Sequence, residues 1–138
     1  MVSLKGESAV IFGGSGFIGS HLAQRLIALG AHVTVADKLI PQDLSSRLIK
    51  KFDFKQIDIS KSIGLKNVLR KKKYVFNLAA ALPFSSNCDN GLKGSIDINI
   101  KGAVNIACAC KDAKVKKLIF VSGYVVYGIP QYLPIDEK

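Results

Sequence analysis

The chain has 138 residues, of which 49% are hydrophobic and 22% charged, with Lys+Arg 20 against Asp+Glu 10 for a net charge of +10. That length allows one domain with a substantial core, and the composition is that of a globular protein with no run long enough to span a membrane. Met1-Val2-Ser3-Leu4-Lys5-Gly6 is no signal peptide, and three cysteines (Cys88, Cys108, Cys110) are too few for a secreted disulfide framework, so a cytoplasmic location is expected.

Taken in order, Ala9-Val10-Ile11-Phe12 suits a buried parallel strand, and the glycine cluster after it opens a helix with apolar residues at Ile18, Leu22, Leu26 and Leu29. His32-Val33-Thr34-Val35-Ala36-Asp37 reads as the second strand. Residues 41–51 form a loose helical segment with Leu44, Leu48 and Ile49 on one side, and residues 52–57 alternate as a third strand that runs into Asp58-Ile59. Ser60 or Ser62 is placed to cap a short helix carrying Ile63, Leu65, Val68 and Leu69. Tyr74-Val75-Phe76-Asn77-Leu78 is strand four, followed by Ala79-Ala80-Ala81, whose small side chains admit a ligand to the backbone.

Residues 82–92 are turn-rich and follow a strand's carboxyl end, where loops commonly carry function. Residues 93–113 predict a long helix with Ile96, Ile100, Ala103, Val104, Ala107 and Cys110 as its buried stripe. Residues 117–121 are strand five, and an aromatic-containing loop follows. Strands alternating with helices imply a doubly wound α/β fold whose parallel sheet is covered on both faces. The order 3-2-1-4-5 places the switch point between strands one and four.

The glycines fit Gly-x-Gly-x-x-Gly (Gly14, Gly16, Gly19) and Gly-x-x-Gly-x-x-Gly (Gly13, Gly16, Gly19) alike. In such a turn one glycine permits the reversal, one lets backbone approach a pyrophosphate, and one brings helix against sheet. The phosphates then meet free N–H groups at a helix N-terminus. Asp37, eighteen residues beyond Gly19, ends the second strand where a carboxylate accepts the adenosine ribose hydroxyls and repels a 2′-phosphate. NAD is therefore expected over NADP, with Lys38 acting against that preference.

The basic clusters Lys50-Lys51, Arg70-Lys71-Lys72-Lys73 and Lys114-Val115-Lys116-Lys117 each end a helical stretch and precede a strand, where cations favour the helix dipole. They lie at the edge opposite the ligand-binding one, and are read as a solvated basic face in preference to a nucleic-acid or other polyanion surface. Cys108 and Cys110 resemble a metal pair on paper, but two residues of helix rotate about 200°, so their sulfurs diverge. With His21 and His32 lacking partners at useful spacing, no metal site is expected and the cysteines are read as small buried hydrophobes.

Six motifs in succession give this chain the look of the N-terminal part of an extended short-chain dehydrogenase/reductase, the NAD-dependent epimerase/dehydratase family. They are Gly13-Gly14-Ser15-Gly16-Phe17-Ile18-Gly19, Asp37, Asp58-Ile59, Asn77-Leu78-Ala79-Ala80, Asn99-Ile100-Lys101-Gly102 and Val121-Ser122-Gly123-Tyr124-Val125-Val126-Tyr127-Gly128. The resemblance implies a Rossmann fold, cut short before the substrate-binding lobe, with residues 1–138 as the NAD(P)-binding domain of a longer enzyme. It implies NAD as cofactor, a nucleotide sugar as substrate, no membrane, and a full-length protein compatible with a homodimer. It places the pyrophosphate at the backbone of Phe17 and Ile18, the ribose at Asp37 and adenine at Asp58 and Ile59. Leu78, Ala79 and Ala80 would line the cofactor.

Asn99 resembles the helix asparagine that supports the active-site polar network, the alternative being a polar residue that kinks or hydrates a long helix. The family's catalytic Ser or Thr falls on Gly123, leaving Ser122 as the neighbouring hydroxyl. Tyr124 and Val125 stand where dehydratases carry an acid pair. No Tyr-x-x-x-Lys is present: four places after Tyr74, Tyr124, Tyr127 and Tyr132 stand Leu78, Gly128, Gln131 and Asp136. Gly123 leaves open a nonenzymatic dinucleotide-binding module or redox sensor, whose basic face would meet a polyanion.

Overall fold

The computed structural model describes residues 3–40, 52–82, 91–129 and 132–136. Five parallel strands, β1 (Ser8–Phe12), β2 (His32–Asp37), β3 (Asp53–Gln56), β4 (Tyr74–Asn77) and β5 (Lys117–Phe120), form one sheet in the order β3-β2-β1-β4-β5. This is the expected doubly wound order. The chain turns from one half of the sheet to the other between β1 and β4, which pair from Ala9↔Tyr74 to Phe12↔Asn77.

Alternation along the strands sends side chains into two cores. Ala9, Ile11, Val33 and Val35 pack beneath α1 (Phe17–Ala28) through Ala23 and Leu26. Val10, Phe12, Ala36 and Val75 face α2 (Leu65–Leu69) and α4 (Ala103–Asp112), meeting Leu65, Leu69, Ile106 and Cys110. The five-residue α2 is too short to be stable by itself. Leu65 and Leu69 are fully buried, and each such side chain contributes about 1.5–3 kcal/mol. Neither Ser60 nor Ser62 caps it: Gly64, at φ 89°, precedes the helix without a side-chain cap.

The apolar stripes expected on the helices are displaced. In α1 the buried residues are Gly19, Ala23 and Leu26, while Ile18 is 60% exposed. The face with the smallest residues wins because it lets the helix approach the β1 turn. The long helix is three pieces, α3 (Gly91–Ile96), a π-helical turn (Asp97–Gly102) and α4. Ser95, Gly102, Ile106 and Cys110 are buried, whereas Ile96, Ile100, Val104 and Ala107 of the expected stripe are exposed. A Cβ on Gly102 would lie 2.7 Å from Ile59, so close packing and polar pairing choose this face over the more apolar one.

Cys110 is buried as expected, but Cys108 is exposed, a correction to its reading as core. The segment 41–51, with Lys50 and Lys51, and the loop expected over 82–92, with Cys88, lie outside the described residues except at 82, 91 and 92. Among the described residues no helix is long and apolar enough to cross a membrane.

Helices α1 and α4 end alike. Gly30 N–H donates to Ile27 O and Ala31 N–H to Leu26 O; Lys114 N–H donates to Lys111 O and Val115 N–H to Cys110 O. Both are the paired closure that needs a left-handed residue, at φ 92° for Gly30 and 54° for Lys114. Lys114→Gly is expected to stabilise the chain by about 1 kcal/mol, read from urea denaturation midpoints. Burial pushes the Cys110 thiol up to about 11 from its ordinary 9.0. Between those values the unfolded chain loses a proton that the folded chain keeps, so stability falls as pH rises from 9 toward 11. Cys110→Ala should flatten that part of the stability curve relative to the parent.

Candidate functional site

The carboxyl ends of β1 and β4 open into a crevice whose walls are backbone. Gly13, at φ 75°, lies against the chain leaving β4: a Cβ there would stand 2.6 Å from Ala79 N and 2.7 Å from Leu78 C. A Cβ on Gly14 would meet Val35 at 2.8 Å, and one on Gly19 would meet Gly13 O at 2.4 Å and Gly14 Cα at 2.6 Å. These three glycines are needed for packing. Gly16 is different. A Cβ there would meet only Gly13 O at 3.4 Å, and its φ of −73° and ψ of 173° suit any residue. The space beside Gly16 is open.

Helix α1 begins at that opening with no side-chain cap and no acidic residue in its first turn. The N–H groups of Phe17 and Ile18 have no partner among the described residues. Free N–H groups, the positive end of a twelve-residue helix and room at Gly16 together suit an anion. A dinucleotide's pyrophosphate fits this cradle.

Asp37 ends β2 and reaches back to the glycine turn, where Ser15 N–H donates to its Oδ2 at 2.9 Å and Leu39 N–H to its Oδ1 at 3.1 Å. Ser15 Oγ donates to Leu39 O at 3.0 Å. Ser15 therefore ties the turn to the end of β2, a role the glycine pattern does not announce. Just past the end of β3, Asp58 accepts the N–H of Ser60 at 3.0 Å and its hydroxyl at 2.7 Å. Burial would raise the Asp58 carboxyl, but the Ser60 hydrogen bonds and the charges of Lys38 and Lys61 hold it below its ordinary value. Lys38 itself is exposed. Ile59 turns its side chain into the core at 5% exposure, so its backbone is what a ligand can meet.

Leu78 N–H donates to Phe12 O at 2.9 Å and Ala79 N–H to Asn77 Oδ1 at 3.2 Å, which holds the β4 exit beside the glycine turn. Ala80 is exposed. Asn99 lies in the π-helical turn and pairs with the peptide of Ala81: Ala81 N–H donates to Oδ1, and Nδ2 donates to Ala81 O, both at 2.8 Å. Its other amide proton goes to Ser95 Oγ at 3.0 Å, and Ser95 Oγ donates to Ala81 O at 2.8 Å. Both Asn99 donors are thus committed to backbone and to Ser95. A residue not anticipated, Asn105, donates through Nδ2 to Ile59 O at 2.9 Å and Ser60 O at 3.1 Å. One helix therefore holds both the β3 and the β4 exits. An asparagine six residues after Asn99 was the available signal.

Val121 N–H donates to Asn77 O at 3.1 Å, so the chain leaves β5 beside β4. Ser122 follows, exposed and without a side-chain hydrogen bond among the described residues. Gly123 is extended, with 4.0 Å between a built Cβ and its nearest neighbour Val125, so a hydroxyl side chain would fit where none stands.

A profile of the NAD dependent epimerase/dehydratase family matches residues 9–138. The chain is 35% identical over 130 residues to the UDP-glucose 4-epimerase of Lactobacillus helveticus, covering 93% of this chain and 39% of that protein. It is 32% identical over 131 residues to a putative UDP-glucose 4-epimerase of Methanocaldococcus jannaschii, covering 94% and 42%. Among solved structures, the UDP-glucose 4-epimerase of Brucella ovis in complex with NAD aligns with a TM-score of 0.79 at 28% identity, over 95% of this chain and 40% of that one. The chain spans about two fifths of the length of these relatives.

The glycines should separate by mutation. Gly19→Ala drives a methyl group into Gly13 and Gly14 and is expected to cost about 1–3 kcal/mol, while Gly16→Ala leaves stability within about 0.5 kcal/mol of the parent. Urea unfolding followed by circular dichroism measures both.

Proposed function

The chain belongs to the NAD dependent epimerase/dehydratase family, and on that premise we propose that residues 1–138 form the NAD-holding domain of an oxidoreductase acting on a nucleotide sugar. The observation that carries this reading is the uncapped start of α1 beside open space at Gly16, a cradle that a Cβ would fill. Phe17 and Ile18 would donate their N–H groups to the pyrophosphate, and Gly13, Gly16 and Gly19 keep the approach clear. Asp37 has lone pairs left for the adenosine ribose, and its charge would oppose a 2′-phosphate. Asp58, the Ile59 backbone and Lys38 would border adenine, with Leu78, Ala79 and Ala80 along the other half of the cofactor.

Bound NAD would supply a reversible hydride acceptor. This chain's residues would orient it: Asn99 and Ser95 fix Ala81, and Asn105 fixes Ile59 and Ser60, so both walls of the crevice are held by one helix. Asn99 is thus a positioning residue. Ser122 brings a hydroxyl to the end of β5, but the proton transfer that sugar oxidation needs has no Tyr-x-x-x-Lys pair within these 138 residues to perform it. The relatives support this substrate class, since several of them are named UDP-glucose 4-epimerases. Gly123 supports a second reading, in which the same fold binds the dinucleotide as a sensor without chemistry.

Calorimetry is expected to show NAD binding more tightly than NADP. Asp37→Asn should narrow that gap, since it removes the like charge facing the 2′-phosphate. Gly16→Val should weaken NAD at least about tenfold, ~1.4 kcal/mol, while the circular dichroism spectrum is retained. Unchanged affinity in Gly16→Val would place the phosphates elsewhere. The 138-residue chain should give no nicotinamide absorbance change with UDP-sugars; turnover would show that the proton is moved without a Tyr-Lys pair.

A further inference from the structure

The basic turn between α2 and β4 is built more firmly than a solvated lysine run requires. Ser8 Oγ donates to Lys71 O at 2.7 Å, while Lys73 N–H donates to Ser8 Oγ at 3.1 Å and Ser8 O at 3.0 Å. With its backbone fixed, the turn divides its cations. Lys73 pairs with Glu7 at 3.0 Å. Lys72 points the other way and donates to Thr34 Oγ1 at 2.6 Å.

Thr34 is only 1% exposed, and among the described residues its own hydroxyl proton has no acceptor. It lies in the wall of a concavity of ≈ 420 Å³, shared with Asp53, Lys55, Asn67, Arg70 and Lys72. The one carboxylate among its described lining residues is already engaged, since Asp53 pairs with Lys55 at 3.2 Å. Among the described residues neither Arg70 nor Lys72 has an ion-pair partner, and the Asn67 side chain has no hydrogen bond. Burial holds the Lys72 amine below its ordinary value, with Lys55 adding to the effect and Asp53 opposing it. A half-buried ammonium, a guanidinium and an amide thus line one space in which, among the described residues, the acceptors Thr34 Oγ1 and the Asp53 carboxylate are already engaged.

We infer that this cleft, at the end of the strands opposite the glycine turn, is a second anion site that takes the phosphate group of a small molecule. A phosphate's several oxygens suit donors of different kinds, and a guanidinium can grip two of them. The volume falls in the small-ligand range. Among the described residues no aromatic side chain lines the cleft to offer the stacking platform of a single-stranded nucleic-acid site.

The test is a titration of the 138-residue chain with inorganic phosphate and with pyrophosphate at 0.15 M KCl, followed by amide NMR shifts. Saturable shifts at Thr34, Asn67 and Lys72 are expected, with affinity about tenfold weaker in Arg70→Gln and in Lys72→Met. Arg70 is exposed, so Arg70→Gln keeps the fold even if loss of the Thr34 contact disturbs Lys72→Met. Shifts that fail to saturate, that added KCl reproduces, or that survive Arg70→Gln unchanged would overturn the proposal. So would a cleft that responds to a single-stranded oligonucleotide or to anionic vesicles but to neither phosphate.

Discussion

Backbone meeting backbone at the β1–α1 turn is the constraint on which this structure depends. Gly13 touches the peptide leaving β4, Gly14 sits under Val35 of β2, and Gly19 rests on Gly13 and Gly14. Each contact joins a different element to the same few atoms. A side chain at any of the three would push a strand or the helix away, and the crevice between β1 and β4 would lose its shape. Because the packing need is met by these three, the fourth glycine is left with space beside it that no packing explains.

The opposite wall is held by polar side chains. Asn99 imitates a peptide and pairs with Ala81 on both its donor and acceptor sides, and Asn105 gathers the carbonyls of Ile59 and Ser60. The first of these contacts comes from within the π-helical turn and the second from the helix just after it, and such turns recur at functional sites. Gly102 lets the helix lie directly on Ile59. Loop backbone that would otherwise wander is thereby pinned to a helix whose own face is buried.

Much of the fold was legible from residue order. Alternating apolar strands, the glycine turn and Asp37 specify a doubly wound parallel sheet with its switch point between β1 and β4. The helix faces were not legible. Hydrophobic spacing selects Ile96, Ile100 and Val104, but the packed face is Ser95, Gly102 and Ile106, chosen by close approach and hydrogen bonding that depend on tertiary partners. The same holds in α1, where Gly19 and Ala23 outrank Ile18. Cys108 fell on the wrong side for that reason, and Ser15 and Asn105 went unnoticed because their partners are distant backbone atoms.

The division of charge between the two ends of the strands has a kinetic side. The cations of residues 70–73 and 114–117 crowd one edge, while at the crevice edge the carboxylates of Asp37 and Asp58 stand with Lys38 and Lys61, and the proposed cradle offers only uncharged N–H groups. Charges act over roughly a Debye length, about 8 Å at physiological salt, whereas an N–H group acts only on contact. An anion diffusing toward this molecule is therefore drawn first to the edge away from the proposed dinucleotide cradle. Lowering the ionic strength lengthens that reach, so encounter at the two edges is expected to respond to salt with different steepness.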